Sequence, residues 1–216
     1  ITHEELKDYS GIGFVIQAYQ KRTFDIIDLI VDLSKSTKKQ IPVRLVKGAY
    51  WDTEIKFAQE YGLEGYPIFT KKVYTDVSYL ACAKKLIQNA KYIFPQFATH
   101  NAYTIAAIKQ LVGNIDFEFQ KLQGMGNPLH ENIVADGFDC RIYAPVGRYE
   151  DLLAYLMRRL LENGANTSFV NLLSNKNLTT KDLIENPIEQ ALKELKSPIS
   201  TPLPKDIYGT ERESSK

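Results

Sequence analysis

The chain has 216 residues, with 27 Lys plus Arg against 26 Asp plus Glu and a net charge of +1, a balance that argues against a nucleic-acid-binding domain, which carries a basic excess. Hydrophobic residues make up 44% and charged residues 25%, so the composition is that of a globular domain and not of a disordered chain. Apolar runs stay shorter than the roughly 18 residues a spanning helix needs, and no signal-peptide pattern opens the sequence.

In chain order, the first buried strand is expected at IGFVIQAY (12–19), followed by a helix with Thr23 as its cap and an apolar stripe of Ile26, Leu29, Ile30 and Leu33. PVRLVKGAY (42–50) reads as the second strand. Two helical stretches then follow, around 52–61 and 75–90, joined by a loop with Gly62, Gly65 and Pro67. IFPQFATH (93–100) is the third strand. After it comes a helix capped by Asn101, carrying Ile105, Ile108, Leu111 and Val112 and closed by Gly113. IDFEFQKL (115–122) and CRIYAPVG (140–147) are the fourth and fifth strands, separated by the Gly-rich LQGMGNP (122–128). That segment lacks the Lys-Ser/Thr of a phosphate loop and reads as a close-approach turn. The strands are nearly continuously apolar, as parallel strands covered on both faces would be. Strand–helix alternation without hairpins predicts an α/β fold with a parallel sheet. Residues 174–216 are polar and carry Pro187, Pro198, Pro202 and Pro204. They read as a linker or docking tail with one short helix near 187–196.

Each strand carries polar residues in or just after its apolar run: Gln17; Arg44 and Lys47; Thr99 and His100; Glu118 and Gln120; Arg141 and Tyr143. Buried polar groups need a partner or a ligand, so two readings are open. They point together at one ligand at the C-terminal strand ends, or they pair with one another. RLVKGAYWD (44–52) is the richest run. Its cations, small Gly48 and Ala49, and aromatic Tyr50 and Trp51 suit a flat anionic ligand such as a flavin nucleotide. A Schiff-base role for Lys47 is a rival, and a salt-bridged strand end a third reading.

In YEDLLAYLMRRLLENG (149–164), Leu152, Leu153, Leu156, Met157, Leu160 and Leu161 form one helical stripe, opposite Tyr155, Arg158, Arg159 and Glu162. That second face is either solvated, or its two arginines clamp a carboxylate, with Glu162 orienting Arg158. His100 reads as a cofactor hydrogen-bonding residue or as a satisfied strand–helix junction. Cys82 and Cys140 read as small core residues in a reducing compartment. The three His residues and two Cys show no zinc spacing, so no metal is expected.

FVIQAYQKR (14–22), RLVKGAYWD (44–52), FTKKVYTDVSYLACAKKL (69–86), FATHNA (97–102), GMG (124–126), RIYAPVG (141–147) and RRLLENGANTSFV (158–170) follow one another in an order that resembles the proline dehydrogenase domain of the bacterial proline utilization A flavoenzymes. The resemblance covers roughly 11–174. It implies a (βα)8 TIM-like barrel, of which this chain would carry the last five strands, the final helix and a C-terminal tail. The division expected is a barrel portion at 1–173 and a tail at 174–216 leading towards an aldehyde dehydrogenase domain of the same polypeptide.

The implied activity is FAD-dependent oxidation of L-proline to Δ1-pyrroline-5-carboxylate, with a membrane quinone as electron acceptor. The implied setting is a cytoplasmic bacterial protein, peripheral to the inner membrane, with homo-oligomer formation open. By motif position, Arg158 and Arg159 resemble the pair holding the proline carboxylate, Tyr143, Tyr50 and Leu122 the walls of the substrate site, and Glu162 the partner of the arginines. Arg44 resembles the residue at the flavin's reactive nitrogen and Gln17 a further ring contact. Val46, Lys47, Gly48, Ala49 and Trp51 resemble the flavin-binding run, and Thr70, Lys71, Thr99, His100 and Asn101 contacts to the rest of the cofactor. A full barrel has eight strands in about 250 residues. Opening on Ile1, the sequence is therefore expected to be a piece of a longer protein, and a flavin-free partial barrel is the alternative reading.

Overall fold

The computed structural model describes residues 8–9, 11–164, 186–196 and 201–207, with residues 162–164 as helix backbone only. The elements follow in the order β1 (Phe14–Gln17), α1 (Thr23–Thr37), β2 (Ile41–Val46), α2 (Trp51–Glu60), α3 (Lys72–Gln88), β3 (Ile93–Ala98), α4 (Ala102–Leu111), β4 (Glu118–Leu122), α5 (Asn127–Ala135), β5 (Cys140–Tyr143) and α6 (Tyr149–Gly164). A short helix α7 (Pro187–Glu194) and a 3₁₀ turn (Pro204–Asp206) complete the described tail.

The strands form one parallel sheet in sequential order, β1-β2-β3-β4-β5. Sequential order with right-handed crossovers places successive helices on one side of the sheet. This is the wall of a (βα)8 barrel and not a doubly wound sheet with a reversal of order.

Burial sorts the two faces. Ile41, Val43, Leu45, Ile93, Phe97 and Phe119 are buried towards the helices. They pack with Ile27, Ile30 and Val31 of α1, Tyr79, Cys82, Ala83 and Leu86 of α3, and Ile105 and Ile108 of α4. Each such apolar side chain contributes about 1.5–3 kcal/mol of transfer free energy. The intervening residues point to the other, barrel-interior face, and the register lines up Arg44 with Gln96, Gln96 with Glu118, and Gln120 with Arg141. The strands are thus apolar towards the helices and polar inside, where cover on both faces by greasy side chains had been expected. The strands also stop earlier than the apolar runs, which leaves Lys47–Tyr50, Thr99–His100 and Ala144–Gly147 as loops at the C-terminal strand ends.

Three local expectations change. Thr23 is the first residue of α1, not its cap, and its hydroxyl donates to the Gln17 carbonyl at 2.5 Å. This ties the helix start to the end of β1. The buried stripe of α1 is Thr23, Ile27, Ile30, Val31 and Ser34, whereas Leu29 is 68% exposed. The expected stripe of Ile26, Leu29, Ile30 and Leu33 instead lines an open groove with Phe14, Val15 and Ile16. The helix is apolar over so wide an arc that α3 takes one side and the groove beside β1 runs along the other. Finally, α4 keeps the Asn101 cap, whose Oδ1 accepts from Thr104 N–H at 2.9 Å, but Val112 ends it and Gly113 has no left-handed backbone.

The helix α5 had no counterpart in the pattern reading. Gly124 and Gly126 both take positive φ, 82° and 61°, and so turn the chain off β4. Pro128 then sits in the first turn of α5.

Candidate functional site

Two layers of charge and aromatic surface meet at the concave face and the C-terminal strand ends. The lower layer lies on the sheet. Glu118, only 5% exposed, accepts hydrogen bonds from Gln96 Nε2 at 2.8 Å and Gln120 Nε2 at 2.7 Å. Arg141 grips both oxygens of the same carboxylate, Nε to Oε1 and Nη2 to Oε2, each at 2.8 Å. Burial pushes the Glu118 carboxyl up, but the bonds from Arg141, Gln120 and Gln96 and the guanidinium charge outweigh it, so its pKa lies below the ordinary value. Bidentate geometry makes this a strong pair. Glu118, Gln120 and Arg141 therefore satisfy one another. Gln96, hidden in the apolar run of β3, completes the set and was absent from the sequence reading.

Arg44 differs. Its guanidinium lies over the Tyr143 ring, 4.2 Å from the centroid, and its buried Nε has no hydrogen-bond partner among the described residues. β2 and β5 are three strands apart, about 14 Å across a flat sheet. For the two side chains to stack, the sheet must curve, and so the contact itself records the concavity of the barrel wall. A cation over an aromatic face is favourable by about 0.5–2 kcal/mol. It keeps Arg44 charged and aligned without consuming its donors.

The upper layer is α6. Its leucine stripe faces outwards: Leu160 and Leu161 are 65% and 70% exposed, while Tyr155, Arg158 and Arg159 are only partly exposed. Arg158 lies over the Tyr50 ring at 5.1 Å, and the charge of Arg159 is felt at His100. Thus the arginine face looks across the ends of β2 and β3 and not to solvent. The Glu162 side chain lies outside the described residues.

The remaining site residues stand around this mouth. Leu122 is buried, and its N–H donates to His100 Nε2 at 3.1 Å. Burial, then the nearby charges of His130, Arg159 and Lys121, push the His100 pKa down to about 4. His130, buried beneath it, bonds the Gly126 carbonyl through Nδ1 at 2.9 Å, with the two imidazole rings 5.6 Å apart. Lys121, 7% exposed, reaches Asn127 Oδ1 at 2.5 Å and pins β4 to the start of α5. Neither His130 nor Lys121 belonged to the predicted site, because the unpredicted α5 is what carries His130 and supplies Asn127 to Lys121. Thr99 Oγ1 accepts from Asn101 N–H at 3.1 Å, and the Asn101 oxygen is committed to the α4 cap.

Lys47 ion-pairs with Asp76 of α3. That contact holds the Nζ on a carboxylate of the neighbouring helix, which is the salt-bridged reading of this lysine. Lys71 reaches Glu194 of α7 at 2.5 Å. Thr70 precedes it in the loop, Val46 and Gln17 pair at the ends of β2 and β1, and Trp51 Nε1 donates to the Phe69 carbonyl at 2.9 Å. Gly48 has φ +136°, and a Cβ there would fall 2.6 Å from the Tyr19 ring, whereas Ala49 beside it is exposed.

A planar anionic cofactor fits what this surface offers. The orphaned Arg44 Nε provides a donor, and Arg44 and Arg158 concentrate positive charge between aromatic faces.

A family model for proline dehydrogenase matches residues 1–172. The bifunctional protein PutA of Escherichia coli strain K12 is 55% identical over 98% of this chain, and that of Rhizobium meliloti 51% over 86%. Proline dehydrogenase 2 of Bacillus subtilis strain 168 is 35% identical over 76% of the chain and 48% of its own length. A solved structure of a Bradyrhizobium japonicum proline utilization A variant superposes with a TM-score of 0.90 at 48% identity, over 97% of this chain and 22% of that one. The chain spans 17% and 16% of the two PutA proteins. With the family pattern running through β1 to α6 and the same fold in the solved relative, this chain belongs to the proline dehydrogenase family.

Proposed function

We propose that this chain supplies five strands of the barrel wall and the overlying arginine helix of an FAD-dependent enzyme. Its reaction is the oxidation of L-proline to Δ1-pyrroline-5-carboxylate. The observation that carries the reading is the stacked pair of cation–aromatic contacts, Arg44 over Tyr143 and Arg158 over Tyr50, on the concave face and at the strand ends. Bound FAD supplies the two-electron acceptor for the carbon–nitrogen bond being oxidised.

The residues of this chain bind, orient and exclude water. Arg158 and Arg159 hold the substrate carboxylate, since guanidinium forks match its geometry. Tyr143, Tyr50 and Leu122 wall the pyrrolidine ring, and Glu162 orients the arginines. Arg44 holds a fixed positive charge beside the flavin ring and favours negative charge there. Gln17, Val46, Lys47, Gly48, Ala49 and Trp51 cradle the ring system. Thr70, Lys71, Thr99, His100 and Asn101 contact the remainder of the cofactor.

A membrane quinone accepts the electrons from a cytoplasmic enzyme peripheral to the inner membrane. None of the described helices is long and apolar enough to cross a membrane. The segment from 174 leads to an aldehyde dehydrogenase domain of the same polypeptide, which takes the product further.

The test is the absorbance spectrum of the purified chain with FAD. Flavin bands that bleach on adding L-proline and return with a quinone support the proposal. A chain that retains no flavin bands once unbound FAD has been removed by gel filtration overturns it for this segment and leaves the flavin-free partial barrel. Arg158→Met is expected to raise the KM for proline about 10–150-fold, the effect of losing one charge-assisted contact of about 1.5–3 kcal/mol, with flavin content unchanged. An unaltered KM would return Arg158 to the solvated-face reading.

A further inference from the structure

Tyr19 lies just past the end of β1 and is 2% exposed. Its backbone and its ring hold two separate loops. The Tyr19 N–H donates to the Lys47 carbonyl at 2.9 Å, and the Tyr19 carbonyl accepts from Phe69 N–H at 2.8 Å. An antiparallel bridge between Gln20 and Ile68 extends the second attachment, as does Lys21 N–H to the Pro67 carbonyl at 3.0 Å. Meanwhile the ring occupies the space where Gly48 would carry a side chain: an ideal Cβ there falls 2.6 Å from Cγ and Cδ2 and 2.7 Å from Cδ1. Three ring atoms at nearly equal distance mean that the side-chain direction of Gly48 points into the face of the ring. The loop at 47–51 therefore rests on Tyr19 from one side, and the loop at 67–71 hangs from it on the other. Trp51 Nε1 donating to the Phe69 carbonyl at 2.9 Å ties the two loops directly.

We propose that Tyr19 is a positioning residue that sets the 47–51 and 67–71 loops in register with each other, its ring being the platform for Gly48 and its main chain the joint. The consequence for the cofactor rests on the flavoenzyme reading, since both loops carry the proposed FAD contacts. The consequence for loop geometry does not. The ring carries the contact with Gly48, while the buried Tyr19 Oη lies near the Tyr50 main chain and the Gln17 side chain without a well-aligned hydrogen bond to either. Burial first, and then the nearby Glu54 carboxylate, raise its pKa, so it stays neutral.

The chain has one tryptophan, Trp51, the first residue of α2 at the end of the 47–50 loop, so its fluorescence reports the alignment without any cofactor. Tyr19→Phe, Tyr19→Ala, Gly48→Ala and the Tyr19→Ala/Gly48→Ala double variant are compared in the full chain, with circular dichroism as the check on folding. Tyr19→Phe is expected to keep the wild-type emission and an FAD Kd within about twofold. Tyr19→Ala and Gly48→Ala are expected to shift Trp51 emission to the red and weaken FAD by about tenfold or more, displaced loops being costly to a preorganised site. In the double variant the ring clash is gone, so Gly48→Ala should cost less than in wild type, leaving only its backbone strain. Such non-additivity identifies direct contact.

Wild-type emission in folded Tyr19→Ala, or strict additivity of the pair, overturns the proposal. If Tyr19→Ala does not fold, Gly48→Ala decides alone, and unchanged emission there overturns it. If wild type binds no FAD while the Trp51 shifts appear, the flavoenzyme reading fails and the positioning role stands.

Discussion

Arg44 and Arg141 project from the same face of one sheet and meet different fates. Arg141 spends its fork on Glu118, whereas Arg44 rests on Tyr143 with a donor to spare. That division could not be read from the sequence, where both appear as arginines in apolar runs. Pairing depends on register, and register brings Gln96 and Gln120 alongside Glu118. Arg141→Met should strip the carboxylate of its charged partner at a cost of about 1.5–3 kcal/mol, read as a lower urea midpoint at unchanged slope. Because the folded pKa of Glu118 is depressed, its contribution to stability is present above the ordinary carboxylate pKa and is lost as pH falls through the lowered folded value. Arg141→Met should flatten that acid limb. Arg44→Met breaks no hydrogen bond among the described residues and loses only its contact with the Tyr143 ring, about 0.5–2 kcal/mol, so its larger effect should fall on flavin affinity and its effect on the urea midpoint should be smaller than that of Arg141→Met.

At the scale of the element, α6 has the amphipathic pattern the periodicity promised and the opposite orientation. A leucine stripe ordinarily marks the face a helix buries. Here the arginine face is turned to the strand ends and the stripe to the outside. Leu160→Gln and Leu161→Gln should therefore change the stability of this chain by no more than about 0.5 kcal/mol, measured by thermal unfolding. A loss of several kcal/mol would mean the stripe is packed. In α1, periodicity found the helix but chose the wrong apolar arc, because both sides are apolar. α5 escaped notice because its nine residues follow two glycines and carry a proline in the first turn, a run that reads as a turn. The tail helix α7 was legible from its proline start and lies on α3, with Ala191 8% exposed. Ala191→Asp should free it, seen as faster amide exchange in 187–194. By contrast, Glu194→Gln should matter little, since the Lys71–Glu194 pair is 30% and 45% exposed.

Over the whole molecule, the alternation of strand and helix and the mouth at the strand ends were both legible, because buried parallel strands and their loops leave strong local signatures. The curvature was legible only through the family resemblance, since it arises from stagger among strands that no local pattern encodes. The acid response of the fold is also a property of the assembled mouth. His100, held to about 4 against an ordinary 6.5, is neutral in the fold, while an unfolded chain takes up a proton below 6.5. Its contribution is complete above 6.5 and declines as pH drops from 6.5 towards 4, and His130 acts in the same direction. Stability against pH should therefore fall across that window, and His100→Gln should remove part of the slope.

The bond from Leu122 N–H to His100 Nε2 has a consequence of another kind. A backbone amide can only donate, so Nε2 must keep its lone pair and the imidazole must carry its proton on Nδ1. The ring is thereby locked as a single tautomer and presents one donor, in one direction, to whatever lies beyond it. Protonation would remove the acceptor of that hydrogen bond as it added the second N–H, so the Leu122 amide and the ring should change together in a titration followed by nitrogen-15 NMR.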